Sequence, residues 1–407
     1  MNLKKQIDDI KIIDDHAHAL DAFYWIDAVG GIPFPPEVHG LELPSAMTPL
    51  PRLKKLMTVY RDLYGFPHSS LTPQNQPELE ELHKKSCSDE ASVYHKALDL
   101  AGIETVFEIC ANKLELPTGL NAERFKLVPL FDGFLIPLDN SELKKTCKKA
   151  ELFITIAELL VKNMQKQLNW YPSSFDEYLK FLFGVMQKMQ EQGCIGVKLA
   201  FGHYRDLTTD IVGEEEARDI FNSKDNSTKR YNRLQDYLLR FMLTKAAGLE
   251  LPVQIHTGAT GIEIFTKESD PVCLDKLLWL PELGSARVVL LHGGYPFCHE
   301  AGFMVTDTAR RPRQLYLDIS LLMEQPGSPN AMVGVLREWL EMGIAHKLIY
   351  GSDGTSPIKL CISAMNIREC LYMALKGMMD DGLINMAQAL SMAEMVLRNN
   401  ARKVYKI

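Results

Sequence analysis

Five short apolar runs, spread over nearly the whole chain, each deliver a side chain able to hold a metal ion at their C-terminal end. Lys11-Ile12-Ile13 leads into Asp15-His16-Ala17-His18, and Cys194-Ile195-Gly196-Val197 ends on Lys198. Pro252-Val253-Gln254-Ile255 ends on His256, Val288-Val289-Leu290-Leu291 ends on His292, and Lys347-Leu348-Ile349-Tyr350 is followed by Asp353. Parallel strands closed into a barrel gather whatever stands at their C-terminal ends around one mouth. The pattern therefore predicts an α/β fold, a (β/α)8 TIM barrel, with a divalent metal at that mouth. At 407 residues the chain exceeds the roughly 250 of a typical barrel. One barrel with insertions, a single domain over 1–407, fits better than two equal domains.

β-branched runs alternate with helical patterns, as βαβ units require. Candidate strands cover residues 10–14, 104–109, 126–130, 195–199, 252–255, 287–291, 314–318 and 347–350, which is the number a TIM barrel needs. Two connections are too long for simple crossovers. Residues 19–103 open with Gly31-Ile32-Pro33-Phe34-Pro35-Pro36 and continue through charged, helix-compatible sequence, so they read as a mostly helical insertion after the first strand. It leaves from the ligand-bearing end, where it is placed to roof the mouth. Residues 141–192 read as two or more helices broken around Trp170-Tyr171-Pro172-Ser173-Ser174-Phe175.

A net charge of −7 offers no basic footprint for nucleic acid. The N-terminus lacks an apolar signal-type core, and no run approaches the roughly 18 apolar residues of a membrane helix. The expectation is a cytoplasmic protein acting on a small molecule, with no membrane or nucleic-acid partner and homo-oligomerisation left open. The eight cysteines include no Cys-x-x-Cys pair and read as reduced, structural thiols. Cys298 is kept open, because it follows His292 closely near the expected mouth.

On a strand, residues two apart point the same way, so His16 and His18 can reach one ion together. Lys198 has two readings. Its amine, carboxylated by carbon dioxide, becomes an anionic carbamate able to bridge two metals; left cationic, it holds a substrate carboxylate as a point charge. His256 and His292 are followed by Thr257-Gly258 and Gly293-Gly294, small residues that permit a sharp turn and leave room for a ligand. Asp353, in Tyr350-Gly351-Ser352-Asp353-Gly354, either binds metal and accepts a proton or simply makes an Asx turn.

The order Asp-x-His-x-His, Lys, His, His, Asp resembles the amidohydrolase superfamily, and within it the amidohydrolase-2 group, particularly FluG-like amidohydrolase domains. Val253-Gln254-Ile255-His256-Thr257-Gly258, Leu290-Leu291-His292-Gly293-Gly294-Tyr295-Pro296 and Tyr316-Leu317-Asp318 carry the likeness, as does Lys198 followed by His203-Tyr204-Arg205. The resemblance implies that His16, His18 and Asp353 ligate one metal, that His256 and His292 hold a second, and that carboxylated Lys198 bridges them. Members with one metal leave the sixth-strand histidine as an acid/base or oxyanion-stabilising group. Zinc suits the nitrogen-rich set, and manganese, iron, cobalt and nickel accept the same ligands. Catalysis would then rest on Asp353 and His292, with Asp353 taking a proton from metal-activated water and passing it to the leaving group. Arg205 is the candidate for binding a substrate carboxylate through its planar fork, beside Tyr204. The activity implied is hydrolysis of a C–N, amide-type bond in a small carboxylate-bearing substrate. The alternative is a metal-dependent, non-oxidative decarboxylase of the amidohydrolase-2 type.

Overall fold

Eight parallel strands form where the apolar runs predict them: β1 Ile12–Ala17, β2 Ile103–Cys110, β3 Phe125–Pro129, β4 Val197–Leu199, β5 Val253–Ile255, β6 Val288–Leu290, β7 Leu315–Asp318 and β8 Leu348–Ile349. This computed structural model describes residues 2–20, 41–44, 48, 50–111, 114–145, 148–258, 266–306, 314–320 and 329–407. The Pro-rich stretch 31–36 of the insertion lies outside the described residues.

The strands pair in sequence order, β1 to β3 in one sheet and β4 to β8 in a second. Backbone hydrogen bonds join both seams. Phe131 N donates to Lys198 O at 2.7 Å and Ile195 N to Leu127 O at 3.1 Å, while Asp15 N donates to Tyr350 O at 3.0 Å and His18 N to Gly354 O at 2.9 Å. Isolated parallel bridges sit at the same places, Leu130 with Lys198 and Ala17 with Gly354. The strand order thus runs from β1 to β8 and back to β1, as in a TIM barrel.

Period-2 alternation divides the apolar side chains between two cores. Val197, Leu199, Val253, Ile255, Val288, Leu290 and Leu317 belong to the large layer between strands and helices. Ile13, Phe107, Ile109, Val128, Val289, Tyr316 and Ile349 fill the barrel interior. Lys198 and Gln254, paired in register, are buried and polar at positions that alternation turns inward. Helix Asn400–Tyr405 plugs the interior from below: the Tyr405 ring meets Phe107 edge-on at 4.7 Å.

The connection 141–192 contains helices Lys148–Leu168 and Phe175–Glu191, separated as expected. The second starts at Ser174, whose side chain accepts from Glu177 N, with Asp176 and Glu177 in its first turn, an arrangement that satisfies orphan N–H groups and complements the helix dipole. Its buried face, Phe175, Tyr178, Leu179, Leu182, Val185, Met186 and Met189, recurs at helical spacing. Within 19–103 lie helices Leu50–Tyr64, Gln76–Ser86 and Glu90–Ala101. The first is tied to the flank rather than the mouth, since Lys55 Nζ reaches Asn366 Oδ1 and Glu369 Oε2, both at 2.5 Å, on helix Pro357–Asp380. No helix among the described residues is long and apolar enough to cross a membrane.

Candidate metal centre

Each strand end at the mouth is shaped by local backbone geometry. His292 and Asp353 both adopt left-handed backbone, with φ of 66° and 50°, a conformation costly for residues with a Cβ and frequent at functional sites. Asp353 is held there by its N–H donating to His16 O at 2.9 Å, with Ser352 N donating to the same oxygen at 3.1 Å. Asp14 Oδ1 accepts from Ser352 N at 2.8 Å, so β1 and the turn after β8 form one unit. Gly258, at φ +76°, has no free space in place of a side chain: a Cβ there would collide with the backbone of Gly294 and Tyr295. The room that glycine leaves is filled by the loop carrying His292, not by a ligand.

The side chains converge. His16 Nε2 lies 3.3 Å from Asp353 Oδ1 and 3.3 Å from Lys198 Nζ. His18 Nε2 is 3.7 Å from the same carboxylate oxygen, and His292 Nε2 is 3.0 Å from His256 Nδ1. Ring centroids are 5.0 Å apart for His16 and His18, 5.3 Å for His16 and His292, and 4.4 Å for His256 and His292. The ligand atoms of His16, His292 and Asp353 all fall within 4.8 Å of one another.

Electrostatics put these groups in ligand form. Burial, reinforced by the Lys198 charge, pushes the His16 imidazole down to about 3. Burial and the neighbouring His256 hold His292 well below the usual histidine value. Both are therefore neutral lone-pair donors at neutral pH. Burial brings the Lys198 amine down to about 8, against the pull of Asp353 and Asp132. Neutral imidazoles, an ionised carboxylate and nitrogen spacings near the edge, about 3.3 Å, of a tetrahedron around an ion such as zinc fit a divalent metal.

Arg205 departs from its expected role. Its guanidinium pairs with buried Asp236 at 2.9 Å and donates to Thr208 O at 2.7 Å, Asn232 O at 3.0 Å and Asp206 O at 3.2 Å. A fork committed to the protein has few donors left for a substrate carboxylate. Tyr204 is buried, with its hydroxyl 3.4 Å from Asp132 Oδ1. Cys298 is buried in the first turn of helix Cys298–Val305 and its thiol is pushed up to about 12, mainly by burial, which keeps it from acting as a thiolate.

Sequence reasoning passed over several residues. His203 packs its ring against His256, with centroids 4.3 Å apart and planes tilted by 56°, extending the histidine row; its signal was its place on the turn just past Lys198. Asp132 clasps Ala200 N with both oxygens, at 2.8 and 3.1 Å, and fixes the turn after Lys198. Gln254 sits 3.0 Å from His16 Nδ1, and Ser320 2.7 Å from His292 Nδ1. A glutamine inside an otherwise apolar strand was the signal for the former.

Comparison with known proteins fits this geometry. Residues 218–407 match the family model Amidohydrolase. Protein fluG of Emericella nidulans is 29% identical over 180 residues, 43% of this chain and 20% of that protein, so the chain covers about a fifth of that relative's length. A protein from Lactobacillus casei described as a metal-dependent hydrolase superposes with a TM-score of 0.66 at 18% identity, over 100% of this chain and 97% of its own. Uronate isomerase from Thermotoga maritima gives 0.68 at 14%, covering 99% and 96%. Glucuronate isomerase from Caulobacter crescentus gives 0.69 at 14%, covering 99% and 93%. At these identities the structures establish a shared fold.

Proposed function

We propose that this chain is an amidohydrolase-superfamily enzyme, a metal-dependent hydrolase that opens a C–N, amide-type bond in a small carboxylate-bearing substrate; the family match over residues 218–407 and the shared fold support the reading. The fold is shared by hydrolases and isomerases alike, so the reaction is argued from the site. The observation that carries the reading is Lys198: a buried amine held near 8, 3.3 Å from a ligand nitrogen of His16. A lysine so depressed is about a tenth neutral at pH 7, hundreds of times the share at its ordinary value, and the neutral amine is the form that adds to carbon dioxide. As a carbamate it would complete, with His16, His18, Asp353, His256 and His292, a set of residues able to hold divalent metal.

A divalent ion of the zinc type held by these residues lowers the pKa of water toward about 7 and polarises a carbonyl. The remaining steps belong to the chain. Asp353, whose Oδ1 lies 3.3 Å from His16 Nε2, accepts a proton from the attacking water and delivers it to the leaving nitrogen. Lys198 and Asp132 keep the β4 turn in place. With Arg205 committed to Asp236, the substrate's carboxylate needs another donor, and His203, packed against His256, is the best placed beside the row.

A second reading, the non-oxidative decarboxylase that the amidohydrolase-2 resemblance also implies, has its own support: the compact set His16, His292 and Asp353 suits a single ion. Metal content per chain, measured on protein purified without chelator, separates the two when combined with a 13C-bicarbonate NMR search for a lysine carbamate. Two ions with a carbamate support hydrolysis. One ion with a free amine favours decarboxylation, and no bound divalent metal overturns both.

A further inference from the structure

Two hydrogen-bond relays end on the ring nitrogens that face away from the centre. In the first, Gln254 Nε2 donates to Asp15 O at 2.6 Å and to Tyr405 Oη at 2.8 Å. A backbone carbonyl only accepts, so the amide orientation is fixed, and it is Oε1 that lies 3.0 Å from His16 Nδ1. An oxygen there can only accept, so His16 carries its proton on Nδ1 and its lone pair on Nε2.

The second relay reaches the same result by a different route. Asp318 Oδ1 accepts from His292 N at 2.9 Å and from Ser320 N at 3.2 Å, and lies 2.5 Å from Ser320 Oγ. An oxygen that already receives two N–H groups takes the serine's single hydroxyl hydrogen as well. Ser320 Oγ then offers only lone pairs to His292 Nδ1, 2.7 Å away, which must hold the proton. Asp318 also anchors the left-handed backbone of His292. All five residues of the two relays, Gln254, Asp15, Tyr405, Ser320 and Asp318, are buried, so water does not compete.

We infer that Gln254 and Ser320 are positioning residues that set the tautomers of His16 and His292, aiming both Nε2 lone pairs into the centre before any ion arrives. Second-sphere partners of this kind commonly govern metal affinity by about 10- to 100-fold. The inference rests on the metal-centre reading above, and it is tested first without metal.

Metal-free protein labelled with 15N-histidine is examined by long-range 15N–1H correlation, with the His16 and His292 signals assigned by single substitution. Wild type is expected to show the Nδ1–H form for both. Ser320→Ala should release His292 into a tautomer mixture and leave His16 unchanged, Gln254→Leu should do the reverse, and Ser320→Thr, which keeps the hydroxyl, should restore the wild-type pattern. Zinc titration against a chromogenic chelator should show about a 10- to 100-fold loss in the first two variants and recovery in the third. An Nε2–H form in wild type, or unchanged tautomers and affinity within about twofold in folded Ser320→Ala and Gln254→Leu, overturns the inference. Expected tautomers in wild type that binds no divalent ion would instead sink the proposed function while leaving the relays standing.

Discussion

His256 and His292 face each other ring nitrogen to ring nitrogen, Nδ1 to Nε2, at 3.0 Å, although they come from adjacent strands and each could have turned toward solvent. Two neutral imidazoles meeting lone pair first repel, so without an ion one of them must carry a proton between the two. The first prediction follows. Stripping divalent metal with chelator should lower the thermal midpoint, and adding zinc at about 100 times its dissociation constant should return about 2.7 kcal/mol. His256→Ala and His292→Ala should each abolish most of that metal-dependent gain; a full gain in either would remove that residue from the ligand set.

Lys198 is predicted to be indispensable and not replaceable by charge. Lys198→Arg keeps a cation and cannot form a carbamate, so it should lose at least about 100-fold in kcat/KM, roughly 2.7 kcal/mol of transition-state stabilisation, together with any 13C carbamate signal. A variant that retains activity would return Lys198 to the role of a cationic anchor.

Asp132 provides a pH test. Burial raises its carboxyl from 3.8 to about 7. A carboxyl whose folded value exceeds its unfolded value favours folding below the unfolded value and loses that contribution as pH rises through the folded one. Asp132→Asn removes the titration and keeps an acceptor for Ala200 N. Its stability relative to wild type should therefore increase between pH 4 and pH 7, by an amount on the order of a few kcal/mol. Urea unfolding at pH 4, 5.5 and 7 reads this directly, and a flat difference would show that Asp132 stays ionised.

Arg205→Ala should act on stability and not on substrate affinity. Removing one partner of a buried pair leaves Asp236 uncompensated, at a cost of about 3–5 kcal/mol. Once folding is secured at low temperature, KM should stay within about twofold of wild type. A large rise in KM with normal stability would restore Arg205 to the substrate.

Gly258→Ala is expected to cost about 2–4 kcal/mol, combining left-handed backbone with a clash against Gly294 and Tyr295. Because the collision falls on the loop that carries His292, metal affinity should drop with stability. Chemical unfolding and metal titration of the same variant check both.

The barrel and its mouth were legible because each strand announces itself locally. A few β-branched residues, then His16, His256, His292 or Asp353 followed within a residue or two by glycine or another small residue, need no knowledge of distant sequence. What stayed hidden depends on pairs far apart in the chain. Gln254 and His16 are 238 positions apart, and nothing near Ser320 indicates that it will meet His292. Arg205 is the opposite case: its motif was visible, but Asp236, its ion-pair partner, lies a full helix away. Glycine after His256 was read as a sharp turn with room for a ligand; the left-handed turn is there, but the space is taken by the Gly294 and Tyr295 backbone, which only three dimensions reveal.

The Tyr405 hydroxyl holds Gln254 and also lies 3.2 Å from Asp15 Oδ2, across 390 positions. During synthesis at about 5–20 residues per second, His16 leaves the ribosome tens of seconds before the phenol that steadies its relay has been made. For that interval the nascent chain carries loose histidines on an unplugged half-barrel. Firm capture of an ion through His16 thus waits until Tyr405 has been made, and a ribosome stalled a few codons short of Tyr405 would display nearly all the ligands and lack the ring that steadies one of them.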